Sequence, residues 1–96
     1  MLRVMKTIRL FAILRELAGA REVTIPFSDG QTVREMLRAI AEIHPALGAK
    51  MLTPEGEMTG LVHVLVHGRN IMWLDGLDTV VRDTDNFDLL PPSAGG

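Results

Sequence analysis

Residues 6–12 alternate, with Ile8, Leu10 and Ala12 on one side and Thr7, Arg9 and Phe11 on the other, which predicts a half-buried strand. Good helix formers fill 14–18 and Gly19 follows as a C-cap, so a short helical turn links this strand to the next. Alternation returns over 22–27 with Val23, Ile25 and Phe27 inward, and Pro26, which lacks an N–H, puts this second strand at a sheet edge. Beyond the turn residues Ser28, Asp29 and Gly30 the period lengthens. Thr32-Val33-Arg34-Glu35 is a capping box, in which the Thr hydroxyl accepts a first-turn N–H and the Glu reaches back. Val33, Met36, Leu37, Ile40, Ala41 and Ile43 then share one helical stripe opposite Arg34, Arg38 and Glu42, until Pro45 stops the pattern.

Residues 48–60 carry Gly, Pro and Glu with weak periodicity and read as an irregular loop. A third strand is predicted over 61–67 with Val62, Val64 and Val66 toward the core. Gly68-Arg69-Asn70 reads as a turn, 71–74 as a short strand leading back, 77–81 as another turn, and 87–90 as the last strand with Phe87 and Leu89 inward. This order is an α+β arrangement: a sheet, one main helix packed on one face, and a second face left for water or a partner. Parity lists that second face as Thr7, Arg9, Phe11, His63, Leu65, His67, Asp88 and Leu90. Three of these, Phe11, Leu65 and Leu90, are large and apolar on a face that should be polar.

Composition narrows the classes. A chain of 96 residues suits one domain, taken here as 1–90 with a projecting tail at 91–96, and folding hides roughly 65% of the surface its unfolded form exposes. A net charge of −2 and few aromatics argue against nucleic acid as a partner. No apolar run is long enough to span a bilayer, and no signal-peptide pattern opens the chain, so a cytoplasmic protein without a membrane partner is expected. Cysteine is absent, which removes disulfides and any thiol nucleophile. His63 and His67 would stand about 13 Å apart on a strand, too far to share a metal, and Asp83, Asp85 and Asp88 lack the Gly and Glu of a calcium loop, so no metal site is expected.

The run Leu10-Phe11-Ala12-Ile13-Leu14-Arg15-Glu16-Leu17-Ala18-Gly19 and the ending DGLDTVVRDTDNFDLLPPSAGG resemble the two ends of the MoaD family, the small sulfur-carrier subunits of molybdopterin synthase. The chain departs from that family's pattern at Thr84, where Gly is usual, and at Ser93, where Val is common. The resemblance implies a β-grasp, or ubiquitin-like, fold with a mixed sheet. It also implies a function that lives at the chain's end.

Two terminal glycines arise by chance in roughly 0.5% of chains. Here they follow Pro91-Pro92, whose restricted φ angles direct the tip outward, and six extended residues reach up to about 20 Å. Without Cβ atoms, Gly95 and Gly96 can enter a channel closed to other residues. The reacting group is then the α-carboxylate of Gly96, which is anionic at neutral pH and a poor electrophile until activated.

The resemblance supplies the activation. A ubiquitin-activating-like adenylyltransferase, using ATP, joins Gly96 to AMP; sulfur from a persulfide donor displaces the AMP, and the thiocarboxylate passes sulfur to a molybdopterin precursor in the large subunit of molybdopterin synthase. The chain itself binds no cofactor and is no autonomous enzyme in this reading. Gly95 gives access, Pro91 and Pro92 form the directing arm, and Phe11, Leu65 and Leu90 form the docking patch. The same tail would also serve a ubiquitin-like modifier joined to lysines through Gly96, or a carrier for thiamine, cysteine or tRNA thiolation. Thiamine-type carriers tend to be shorter and to lack the 48–60 segment.

Overall fold

A computed structural model describes residues 4–92, so the expectations for Ser93, Ala94, Gly95 and Gly96 lie outside the described residues. Its sheet has five strands: β1 (Val4–Leu10), β2 (Glu22–Phe27), β3 (His63–Val66), β4 (Arg69–Asn70) and β5 (Phe87–Leu90), in the order β2-β1-β5-β3-β4. β5 lies in the middle, parallel to β1 and antiparallel to β3, while β2 occupies an edge as Pro26 requires. Three helices, α1 (Ile13–Ala18), α2 (Val33–Ile43) and α3 (Pro45–Met51), contribute to a single core against one face of this sheet. This is the mixed β-grasp sheet that the resemblance implies. Among the described residues no helix is long and apolar enough to cross a membrane.

The alternating strands bury Ile8, Leu10, Val23, Ile25, Phe27, Val64, Val66, Phe87 and Leu89, and α2 answers them with Val33, Met36, Leu37 and Ile40. Full burial of such a side chain is worth roughly 1.5–3 kcal/mol. α2 begins as its capping box demands: Glu35 N donates to Thr32 Oγ1 at 3.2 Å, and Thr32 N donates to the Glu35 carboxylate at 3.0 Å. The end of the predicted stripe differs, since Ile43 is half exposed.

Pro45 ends α2 and also opens α3, where the first turn needs no N–H from it. The 48–60 region is therefore helical at its start, against the loop expectation. Leu47 and Met51, one turn apart, are fully buried, and a Cβ on Gly48 would lie 2.5 Å from the Ala41 Cβ, so glycine allows α3 to press against α2.

Four further expectations are corrected. β1 stops at Leu10 because Ala12 takes a positive φ of 54°, which turns it to solvent and gives its core place to Leu14. β3 ends at Val66, and His67 and Gly68, both at positive φ, form the two-residue loop of a hairpin closed by the Val66–Arg69 pair. His67 thus does not share a strand face with His63. Residues 71–74 are no strand: Ile71–Trp73 is a 3-10 turn whose Met72 N–H is capped by Asn70 Oδ1 at 2.9 Å. Finally, Asp88 points to the second face as predicted but is buried there.

Lys6 falls on the core side of β1, in step with Ile8 and Leu10, and is buried. Its Nζ donates to the carbonyls of Arg82 and Asp83 at 3.1 and 3.0 Å and sits 4.8 Å from the centre of the Phe27 ring. Burial lowers its pKa from the ordinary lysine value, and Asp83, Asp85 and Asp29 oppose part of that shift.

Candidate functional site at the root of the tail

The helix-free face of the sheet is organised by one rung that crosses all five strands: Glu22, Arg9, Asp88, Leu65 and Asn70 stand side by side. At its centre Arg9 grips Asp88 with two hydrogen bonds, Nε to Oδ1 at 2.7 Å and Nη2 to Oδ2 at 2.9 Å. This bidentate pairing lets a carboxylate sit buried on the strand that carries the tail, and it raises the Arg9 pKa further above its ordinary value.

The next rung leads to the tail. Leu90 pairs with His63, and Pro91 follows half-buried while Pro92 is exposed. Leu65, Leu90 and Pro91 meet His63 and Asn70 around a hollow of about 270 Å³. Asn70 Nδ2 and His63 Nδ1 are hydrogen-bonded at 2.9 Å, which fixes the polar wall of that hollow. The structure thus brings together three of the five partner-binding residues named from sequence.

Phe11 stands apart from this group, just beyond the end of β1 and half-buried. Its ring lies 5.2 Å from the Arg15 guanidinium carbon and 5.8 Å from that of Arg9. Arg15 is held there by an Nε bond of 2.7 Å to the carbonyl of Leu10. The Leu65 and Leu90 group is therefore apolar, whereas Phe11, apart from it, is flanked by two guanidinium groups. Sequence reasoning missed Arg15 and the His63–Asn70 pair because both depend on contacts that parity does not encode.

It also missed a second hollow of about 270 Å³ that shares His63 and Asn70 with the first and runs on to Met58, Ile71 and Leu77. Beside it Met72 and Trp73 are 70% and 83% exposed. A lone Trp in a short segment between Gly68 and Gly76 was the available signal. Among the described residues no group of three His, Cys, Asp or Glu is placed to hold a metal ion.

A profile of the ThiS family matches residues 8–96. The chain belongs to the ThiS family. Within it, this ThiS-family chain is 34% identical over 89 residues to small archaeal modifier protein 3 of Haloferax volcanii, covering 93% of this chain and 96% of that protein. It is 31% identical over 87 residues to the molybdopterin synthase sulfur carrier subunit of Chlamydomonas reinhardtii, covering 90% and 92%. The crystal structure of SAMP1 from Haloferax volcanii superposes with a TM-score of 0.80 at 31% identity, over 97% of this chain and all of that one. The ubiquitin-like fold and the resemblance to the molybdopterin sulfur carriers both stand on these matches.

Proposed function

We propose that this ThiS-family protein is a sulfur carrier whose Gly96 carboxylate is adenylated, converted to a thiocarboxylate and spent on a molybdopterin precursor. The observation that carries this reading is the placement of the tail's root. That root, Leu90-Pro91, is the continuation of the central strand and lines the hollow beside Leu65, so a partner seated on that face has the start of the tail in its grasp. The half-buried Pro91, with its φ fixed by the ring, sets the direction in which the chain leaves the strand toward the exposed Pro92.

The chemistry follows from the carboxylate. Attack on ATP, held by an adenylyltransferase, gives an acyl adenylate and pyrophosphate. A persulfide sulfur then displaces AMP, and a second thiol of the donor cleaves the S–S bond, leaving a thiocarboxylate on Gly96 and a disulfide behind. The chain has no cysteine to compete for that acyl group. The large subunit of molybdopterin synthase is the acceptor's host in this reading, docked through Leu65, Leu90, Pro91 and the Arg15-capped Phe11.

Incubation with an adenylyltransferase, ATP and a persulfide donor is expected to add to the intact mass the difference between one sulfur and one oxygen. An unchanged mass with a donor system active on another carrier would refute the reading. A second reading is supported by the modifier relatives: the same acyl adenylate, met by an amine instead of a sulfur, gives an isopeptide bond to another protein.

A further inference from the structure

The 3-10 turn after β4 holds two large apolar side chains in water, Met72 at 70% exposure and Trp73 at 83%. The second hollow, of about 270 Å³, opens next to them between Val62, Val64, Ile71 and Leu77. Met72 belongs to its lining and Trp73 does not, so the chain's one Trp leaves the space beside it unfilled. Leu61, half exposed between the lining residues Gly60 and Val62, extends the apolar rim. The His63–Asn70 pair supplies the polar atoms that an indole N–H needs once it leaves water.

Charge frames the same turn. Arg69 precedes Met72 by three residues and Asp75 follows it by three; both are exposed, and none of the ion pairs among the described residues includes either. Reversing the segment about Met72 therefore exchanges a positive charge for a negative one. A protruding ring, an apolar hollow and two opposite charges within one short stretch make a self-complementary surface, which is what a two-fold contact between identical chains requires.

We propose that this chain pairs non-covalently with a second copy of itself about a two-fold axis, Trp73 of each copy seated in the hollow of the other and Arg69 of each against Asp75 of the other. The pairing is independent of the chemistry at Gly96. Two Trp rings bury roughly 300–500 Å² between them, against the roughly 1,200 Å² at which stable complexes begin. Met72, Leu61 and the charged flanks add to that area and bring the contact to the lower end of the range. The dimer is accordingly weak and reversible, forming at micromolar concentrations and above. Because each copy gives its ring and receives one at the same contact, the pair closes and does not extend into a filament.

The test is sedimentation equilibrium of the full chain from about 1 μM to 1 mM, with Trp fluorescence recorded over the same range. The wild type is expected to pass from monomer toward dimer, and its single Trp to shift its emission to shorter wavelength in step, a readout that needs no variant. Trp73→Ala, at an exposed position where the fold does not depend on the ring, should weaken association about tenfold or more. Arg69→Asp and Asp75→Arg should each weaken it about fivefold through like-charge contacts, while an equimolar mixture of these two variants should associate more tightly than either alone, since the mixed dimer pairs opposite charges at both contacts. A chain that stays monomeric throughout, association that leaves the emission unmoved or survives Trp73→Ala undiminished, a mixture no tighter than its components, or growth beyond the dimer would overturn the proposal. An emission shift seen only on adding an adenylyltransferase would assign the hollow to that partner and overturn it as well.

Discussion

Replacing Gly48 by alanine places a methyl group where α3 crosses α2. That carbon would lie 2.5 Å from the Ala41 Cβ and 2.9 Å from its Cα, against roughly 3.5–4.0 Å for an unstrained carbon contact. The helices must part by about 1 Å, and α3 takes with it Leu47 and Met51, both fully buried. Overpacking of this kind costs typically about 1–3 kcal/mol, offset by roughly 1 kcal/mol of better helix propensity. The expected balance is a loss of about 1 kcal/mol, read as a fall of about 4–8 °C in the midpoint of thermal unfolding by far-UV circular dichroism. Ala41→Gly removes the nearer obstacle, so the double variant should be more stable than the sum of the single losses by about 0.5 kcal/mol or more. Thiocarboxylate formation should be unchanged, because the tail root lies across the sheet. A Gly48→Ala variant as stable as the wild type, or strictly additive losses, would refute the close-crossing argument.

Leu65→Glu and Leu90→Glu should each weaken binding to the cognate adenylyltransferase or large subunit roughly tenfold or more, measured by calorimetry, with the unfolding midpoint nearly unmoved; unaltered affinity would refute the docking face. One residue appended after Gly96 should abolish sulfur loading in the intact-mass assay while the circular dichroism spectrum stays native; loading at the wild-type rate would sink the terminal-carboxylate chemistry. Lys6 gives a pH test. Its pKa is lowered on folding, so between that lowered value and about 10.5 the unfolded chain holds a proton the folded chain has lost, and stability contributed by this group rises with pH across that window. In Lys6→Met this contribution disappears, and denaturant midpoints from about pH 8 to pH 11 should show a flatter or falling trend than the wild type. Identical slopes would refute the assignment.

Much of this architecture is legible in the residue pattern because each correct element has two independent signals. α2 has both its stripe and its capping box, β2 has alternation and an edge proline, and β5 has alternation and the directing prolines after it. The missed features each rest on one residue whose meaning depends on a distant partner. Gly48 reads as a helix breaker until Ala41 is known to lie against it, although Leu47 and Met51 carry the spacing of a helical turn. Lys6 shares the parity of Ile8, yet a lysine enters a core only where carbonyls such as those of Arg82 and Asp83 wait for it. Asp88 was correctly faced, but its burial follows from Arg9 across a parallel ladder that no local pattern reports. At the candidate site, Leu65, Leu90 and Pro91 follow from parity and chain order, whereas the clasp of Arg15 on Phe11 arises from the positive φ of Ala12 that ends β1 early.

The central position of β5 has a mechanical consequence. A pull on the tail, by a partner drawing Gly96 into its channel or by a machine unfolding a conjugate, acts along the axis of a strand bonded on both sides, to β1 and to β3. The hydrogen bonds of both ladders run across that axis, so the load is shared among them as shear instead of opening them one at a time. The domain is thus a firm handle on its own leash, and it yields more readily to a force applied at edge strand β2, which can be peeled bond by bond.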